Sequence, residues 1–385
     1  MTLSVFIVAI ENSGDQLGAG LVNSLRQQRP DINLSGIGGP ALKQAGVPSD
    51  FDISRLSILG FTEGIKVYPH IIERVKTASK IIIEAKPDVV VLIDSWGFMV
   101  RLAKRLKAEG FKGKIVKYAA PQVWAMRSGR AAILARHVDY LLSIQPMDKL
   151  YFDAVNLPND YVGNPMFDED HSGGDGAALR KEFNIPADAP VVGIFFGSRL
   201  SELQTLATPF AEAIDAILSV RPDCRFVAPM AASIDEDILA AAGTDLRLQN
   251  VILLPEERKQ DIFSAADAAL ACSGTVTTQL ATVGVPTVVA YKLSAVTYFF
   301  AKRLFKPNYI SLVNIAADKA LMPEFIQGAV TGQLLSDAII KRLDDPNLHR
   351  RESQALLEQT ARMTQNKNGP ASHRAAEKLL EFLNA

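Results

Sequence analysis

The run Val191-Val192-Gly193-Ile194-Phe195-Phe196, followed at once by Gly197-Ser198-Arg199-Leu200-Ser201-Glu202, decides the fold class. Six apolar or glycine residues with no alternation read as a strand covered on both faces. The loop after it is polar and opens a helix over Glu202–Val220, with Leu203, Leu206, Phe210, Ile214 and Ile217 on one face and Pro209 placed to kink or split it. The same strand–loop–helix unit recurs along the chain. Val5–Ala9, Val89–Ile93, Ile115–Tyr118 and Tyr140–Ile144 read as earlier buried strands, with amphipathic segments such as Leu17–Leu25 and Phe98–Leu106 between them. Arg225–Ala228, Val251–Leu254, Ala268–Ala271 and Pro286–Tyr291 continue the pattern. Buried strands alternating with helices predict an α/β protein of parallel, doubly wound sheets.

The pattern breaks once. Asn164 to Gly176 contains Pro165, four acidic residues and three glycines, a linker composition. The expected organisation is a first α/β domain over 1–164, a second over 177–345, and helices over 346–385 that pack back toward the first. A length of 385 residues suits two domains. Two doubly wound domains in tandem can set their strand C-termini around a shared cleft, and ligands of such sheets bind at those ends. The loops directly after strands are therefore the candidate site.

Lys and Arg number 41 against 42 Asp and Glu, which gives no sign of a nucleic-acid partner. Two cysteines, Cys224 and Cys272, make neither a disulfide framework nor a zinc pattern, and five scattered histidines add no metal motif. The N-terminus is apolar without a basic flank and reads as a first strand rather than a signal peptide. No apolar run approaches the ~20 residues of a membrane-spanning helix.

In the loop Gly197-Ser198-Arg199, glycine lets the backbone approach a ligand, the helix start offers free N–H groups, and Arg199 is a planar cation matched to phosphate oxygens. The same residues also suit a plain helix start with Ser198 as cap and Glu202 in the first turn. Cys272-Ser273-Gly274-Thr275-Val276-Thr277-Thr278-Gln279 repeats the arrangement after another strand, again as a phosphate loop or a capped turn. Two such loops in one domain favour a nucleoside diphosphate over a single phosphate. In the first domain Glu11-Asn12-Ser13-Gly14-Asp15 follows the first strand without a dinucleotide fingerprint. Asp94 ends the run Val89–Ile93, where it could serve as general base or as N-cap of the helix from Phe98. Trp124, in Pro121–Arg127, could shape an acceptor site or belong to the core. Finally, Leu56–Phe61 with Ile65, Val67, Tyr68, Ile71 and Ile72, interleaved with Lys66, Arg74 and Lys76, could rest on an anionic bilayer or form a core-facing helix with a solvated side.

Taken in order, the motifs carry a resemblance. Ser13-Gly14-Asp15 with Gly18-Ala19, Gly36-Ile37-Gly38-Gly39-Pro40, Leu59-Gly60, Lys86-Pro87-Asp88, Ile93-Asp94, Pro121-Gln122-Val123-Trp124-Ala125, Tyr161-Val162-Gly163, Gly197-Ser198-Arg199, Ser273–Thr277 and Pro323-Glu324-Phe325 resemble the lipid-A-disaccharide synthase family nearly end to end. The resemblance implies an inverting glycosyltransferase of the GT-B fold. It would move 2,3-diacylglucosamine from UDP to the 6-hydroxyl of 2,3-diacylglucosamine 1-phosphate, leaving a β-1,6 disaccharide and UDP, with no metal or other cofactor. It implies Asp94 as base, with Glu11 as a second candidate. Ser198, Arg199, Glu202, Ser273, Gly274, Thr275, Gln279 and Asn314 would hold the nucleotide sugar. The segment around Ile65–Ile72 would reach acylated substrates from the cytoplasm, at the inner face of the inner membrane, and a homodimer is left open. The chain departs from the family where Ile10 replaces Gly, Trp96-Gly97 replaces Pro-Asp, Met126 replaces Trp, Asn164 replaces His and Gln279 replaces Glu. The nucleotide half thus matches the family better than the acceptor half. A UDP-sugar transferase or epimerase with another acceptor, or a non-catalytic paralogue, is the alternative.

Overall fold

A computed structural model describes residues 2–49, 51, 53, 64–197, 200–230, 250–293, 298, 303–364 and 369–384, without the side chains of 64–69, 200 and 201. The chain divides into two compact units, one of residues 1–168 with 364–385, the other of 169–363. The helix Pro346–Thr364 therefore lies with the second unit, except at its last residue. Of the C-terminal segment 346–385, residues 364–385 group with the first unit and 346–363 with the second.

The first unit holds a six-stranded parallel sheet of β1 (Ser4–Val8), β2 (Asn33–Ile37), β3 (Val89–Ile93), β4 (Lys114–Tyr118), β5 (Tyr140–Ser143) and β6 (Asn159–Tyr161), in the order β2-β1-β3-β4-β5-β6. Every neighbouring pair is parallel. The fully buried β3 shows why its sequence has no alternation. Val90 and Leu92 pack on one face with Phe6, Val8 and Leu141, while Val89, Val91 and Ile93 pack on the other with Val5, Ile7 and Val116.

The second unit repeats the plan with β7 (Val191–Phe195), β8 (Arg225–Met230), β9 (Val251–Pro255), β10 (Ala268–Cys272), β11 (Thr287–Tyr291) and β12 (Glu324–Ile326), ordered β12-β11-β10-β7-β8-β9 and likewise parallel. The helix Leu200–Val220 keeps Pro209 inside it and is not split. Leu203, Leu206, Phe210 and Ile214, all fully buried beneath it, outweigh the one hydrogen bond that proline removes.

The strand orders matter for function. In the first sheet the chain steps from β1 outward to β2, then returns to build the other side from β3, so the order reverses between β1 and β3. In the second it reverses between β7 and β10. At such switch points the two following loops diverge to opposite faces and leave a crevice at the strand C-termini, where ligands of open α/β sheets bind.

The C-terminal helix Ala371–Asn384 completes the first unit. Ala375, Ala376 and Leu379 pack against Leu21 and Leu25, and the Phe382 ring stacks on Tyr140 at 4.4 Å. Asp168 caps the helix by accepting from the Ala371 N–H at 2.5 Å. The buried Arg374 donates to the carbonyls of Val162 at 2.7 Å, Thr364 at 3.0 Å and Gly369. Replacing Arg374 by Met leaves these carbonyls without their donor, and the expected loss of unfolding free energy is about 3 kcal/mol, read from a urea transition. An unchanged urea midpoint would show that the C-terminal helix is held by its apolar face alone.

Candidate functional site

The four loops singled out in the sequence lie at the two switch points. In the second unit, Gly197 follows β7 and Ser273 follows β10. Between them opens a cavity of about 410 Å³ lined by Gly197, Glu202, Ser273, Gly274, Thr275 and Gln279, with Glu256 and Lys259 on a further wall. Ser198 and Arg199 lie outside the described residues.

The two glycines of this pair of loops differ. Gly197 has φ +99°, and a side chain there would fall on the Glu202 carboxylate and come within 3.0 Å of the Glu202 Cβ. Only glycine fits, for reasons internal to the loop. Gly274 has extended backbone at φ 172°, and a Cβ added to it meets nothing within 4 Å. It caps the helix Thr275–Thr282 and brings no side chain to the first-turn N–H groups, which stand at the cavity wall. Ser273 is placed by a hydrogen bond from its hydroxyl to the Ile310 carbonyl at 3.4 Å.

Asn314, expected to touch the nucleotide sugar, does not line the cavity. It is fully buried, and its amide donates to Met322 O at 2.7 Å and Glu324 Oε1 at 2.8 Å while accepting from Leu321 N at 2.9 Å and Met322 N at 3.0 Å. All four hydrogen-bonding positions of the amide are used inside the protein. Its partner Glu324 also receives the N–H groups of Ile310 and Ser311, at 2.7 and 2.9 Å, and the Ser311 hydroxyl at 2.7 Å. Asn314 and Glu324 thus build the loop against which Ser273 rests.

In the first unit, Glu11 follows β1 and Asp94 follows β3. The Ser13 hydroxyl donates to Asp94 Oδ2 at 2.9 Å, and Gly14 backs onto the Asp94 Cβ. Asp94 is half-buried and is not an N-cap, because the next helix starts at Trp96 with Ser95 at its cap. Asp15 has a separate task. It is buried and accepts from the N–H groups of Gly39 and Ala41 at 2.8 Å each and of Leu42 at 3.3 Å, clasping the first helix to the turn that opens Pro40–Gln44. The Ser-Gly-Asp and Gly-Gly-Pro motifs are therefore largely one structural clasp, with Ser13 as the part that meets the candidate base.

Two groups beside these loops escaped the sequence reading. Lys117, on β4 and 2 % exposed, donates to the carbonyls of Asp94 at 2.8 Å, Tyr118 at 2.9 Å and Ala119 at 2.7 Å. Burial pulls its pKa down to about 7, against the attraction of the Asp94 and Glu11 carboxylates. Nothing in a four-residue run read as a buried strand marks a lysine as part of a site. Glu256 and Lys259, paired at 2.7 Å, directly follow β9, and the rule of searching loops after strands reaches them.

The proposed membrane and acceptor residues separate. Ile71 is 8 % exposed and joins Val75, Ala78 and Ile82 in the core, so this position packs inward rather than onto a lipid surface. Ile72 is 42 % exposed. The side chains of Ile65, Val67 and Tyr68 lie outside the described residues. Trp124 is buried. Beside the Trp124 indole, the buried Asp148 is pushed by its burial up to about 7. Among the described residues no His, Cys, Asp and Glu side chains gather as a metal ion would need.

Two parallel Rossmann-like units, each with its candidate residues at a switch point, define the GT-B class of glycosyltransferases and related epimerases. Solved structures share the fold. The UDP-GlcNAc 2-epimerase from Neisseria meningitidis bound to UDP-GlcNAc superposes with TM-score 0.62 at 13% identity, covering 99% of this chain and 100% of that one. The glycotransferase of kitacinnamycin superposes with TM-score 0.63 at 16% identity, covering 99% of each. Sequence is more specific. The profile of the lipid-A-disaccharide synthetase family matches residues 5–379. The lipid-A-disaccharide synthase of Rhodospirillum centenum is 35% identical over 382 residues, 99% of this chain and 95% of that protein. The chain belongs to the lipid-A-disaccharide synthase family and is a glycosyltransferase.

Proposed function

We propose that this glycosyltransferase moves 2,3-diacylglucosamine from UDP to the 6-hydroxyl of 2,3-diacylglucosamine 1-phosphate, forming the β-1,6 disaccharide and releasing UDP. The observation that carries the reading is the cavity at the β7/β10 switch point, where the loops after these two strands converge. UDP occupies it. Arg199 and the N-terminus of Thr275–Thr282 take up the charge that grows on the departing diphosphate, and Glu202 and Gln279 hold the ribose or donor sugar. Asp94 removes the proton from the attacking hydroxyl, with Glu11 beside it as the lesser candidate. No cofactor enters this reaction. Both substrates carry acyl chains, so the enzyme works at the inner face of the inner membrane, with the exposed Ile72 part of the surface that meets lipid. Among the described residues no helix is long and apolar enough to cross a membrane.

The test supplies both acylated monosaccharides and follows UDP release and disaccharide formation. A folded protein that makes no disaccharide overturns the reading, and donor hydrolysis or a different product favours another acceptor. UDP binding should weaken in Arg199→Ala by roughly 10- to 100-fold, the worth of a charge-assisted hydrogen bond. Unchanged affinity removes Arg199 from the site.

A further inference from the structure

Lys117 occupies a core position. On the central strand β4 it stands in register between Leu92 of β3 and Leu141 of β5, both members of the apolar cluster on that face of the sheet. A leucine or methionine there would fill the space without desolvating a charge, and buried charges commonly cost more than apolar replacements of similar volume. The ammonium is instead surrounded by three carbonyl oxygens, one for each of its protons, from Asp94, Tyr118 and Ala119.

Those carbonyls belong to two strained turns. Asp94 and Ser95, after β3, have φ of +51° and +37°, and Ala119, after β4, has φ of +63°. None is glycine. A side chain in the left-handed region costs on the order of 1 kcal/mol or more, and three in two adjacent strand ends persist only if the surroundings hold them. The Asp94 N–H donates to the Tyr118 carbonyl at 3.0 Å, and the Lys117 ammonium adds a side-chain bond to each turn. What it holds is the backbone of Asp94, whose carboxylate lies at the β1/β3 switch point with Ser13 on one oxygen.

We propose that Lys117 is a positioning residue for glycosyl transfer: its buried ammonium ties the Asp94–Ser95 and Tyr118–Ala119 turns together and so fixes the direction of the Asp94 carboxylate. This rests on the reading of Asp94 as the base. Lys117 touches no substrate and acts only through Asp94.

The experiment is a double-mutant cycle in the full-length enzyme, with Lys117→Met, Asp94→Asn and the two combined, reading kcat, donor affinity and thermal stability. Lys117→Met lowers kcat by about 100-fold, the usual cost of misplacing a reacting group by about 1 Å. UDP affinity is unchanged, because the nucleotide loops lie in the other unit. The combined variant is no slower than Asp94→Asn alone, since a misdirected carboxamide has nothing left to lose. A merely structural lysine would instead multiply with Asp94→Asn. That multiplication, or wild-type kcat in Lys117→Met beside an impaired Asp94→Asn, overturns the positioning role. Wild-type kcat in Asp94→Asn overturns the base assignment instead. Should Lys117→Met fail to fold, Lys117→Gln, whose amide serves two of the three carbonyls, enters the same cycle and is judged by the same results.

Discussion

Asp94→Asn should lower kcat by about 10²- to 10⁴-fold while leaving the affinity for UDP unchanged. Asparagine is the informative replacement because it alters one property. The residue sits at φ +51°, where Asp and Asn are tolerated better than other side chains, whereas alanine would add strain to a turn already strained at Ser95. Asn also keeps an acceptor for the Ser13 hydroxyl, which lies 2.9 Å from Oδ2. What it loses is the ability to take a proton from an attacking hydroxyl. The measurement is steady-state UDP release at saturating acceptor, with UDP affinity by titration. Glu11→Gln serves as the comparison. Glu11 stands at the N-cap of the first helix without a side-chain capping bond, whereas the Ser13 hydroxyl holds Asp94. A larger loss in Glu11→Gln than in Asp94→Asn would exchange their roles, and a loss below about threefold in Asp94→Asn would remove it from the chemistry.

The strands that could be read in the sequence are mostly those buried on both faces, the edge strand β9 excepted. Val89–Ile93 and Val191–Phe195 carry apolar side chains at nearly every position because each face of the sheet has its own core. The strands that went unread are Asn33–Ile37, Asn159–Tyr161 and Glu324–Ile326. β2, β6 and β12 are edge strands, two of them only three residues long, with half-exposed side chains and no apolar run to announce them. Missing the edges also hid the switch points, because a reversal of strand order exists only once pairing is known. The candidate loops were nonetheless found, since a polar residue ending an apolar run marks a strand terminus wherever that strand lies in its sheet.

What the sequence could not separate was a side chain that meets a ligand from one that builds the loop presenting it. Asn314 and Ser273 look alike as small polar residues that the resemblance assigns to the nucleotide sugar. Yet Asn314 is saturated by Glu324 and the 321–322 backbone, and Ser273 stands on the cavity wall. Lys117 is the opposite case, a charge inside an apolar run, which periodicity assigns to the core. It does lie in the core, and its chemistry appears only with the three carbonyls around it. Ile71 and Ile72 fit in sequence either a lipid-facing surface or a core-facing helix with a solvated side. On a helix they point about 100° apart, and the turn puts Ile71 in line with Val75, Ala78 and Ile82.

Gly274→Val should raise the Kd for UDP by roughly 10- to 100-fold with no more than about 0.5 kcal/mol lost from the stability of the fold. The backbone at Gly274 is extended, a conformation valine readily adopts, and the volume a Cβ would enter is empty to 4 Å. The fold therefore gives no reason for glycine here. A ligand does: a branched side chain at the N-cap of Thr275–Thr282 would stand over the first-turn N–H groups and fill the space a diphosphate must enter to reach them. Gly197→Ala supplies the contrast. There φ is +99° and the new Cβ would run into Glu202, so the expected damage is to folding, by about 1–3 kcal/mol, before any question of binding arises. The pair of substitutions separates two requirements for glycine that look identical in the sequence, the one imposed by the chain and the one imposed by what the chain holds. If Gly274→Val binds UDP as tightly as the wild type, the open end of that helix is not where the diphosphate lies, and the β7/β10 cavity must hold it, if at all, on the Gly197 side alone.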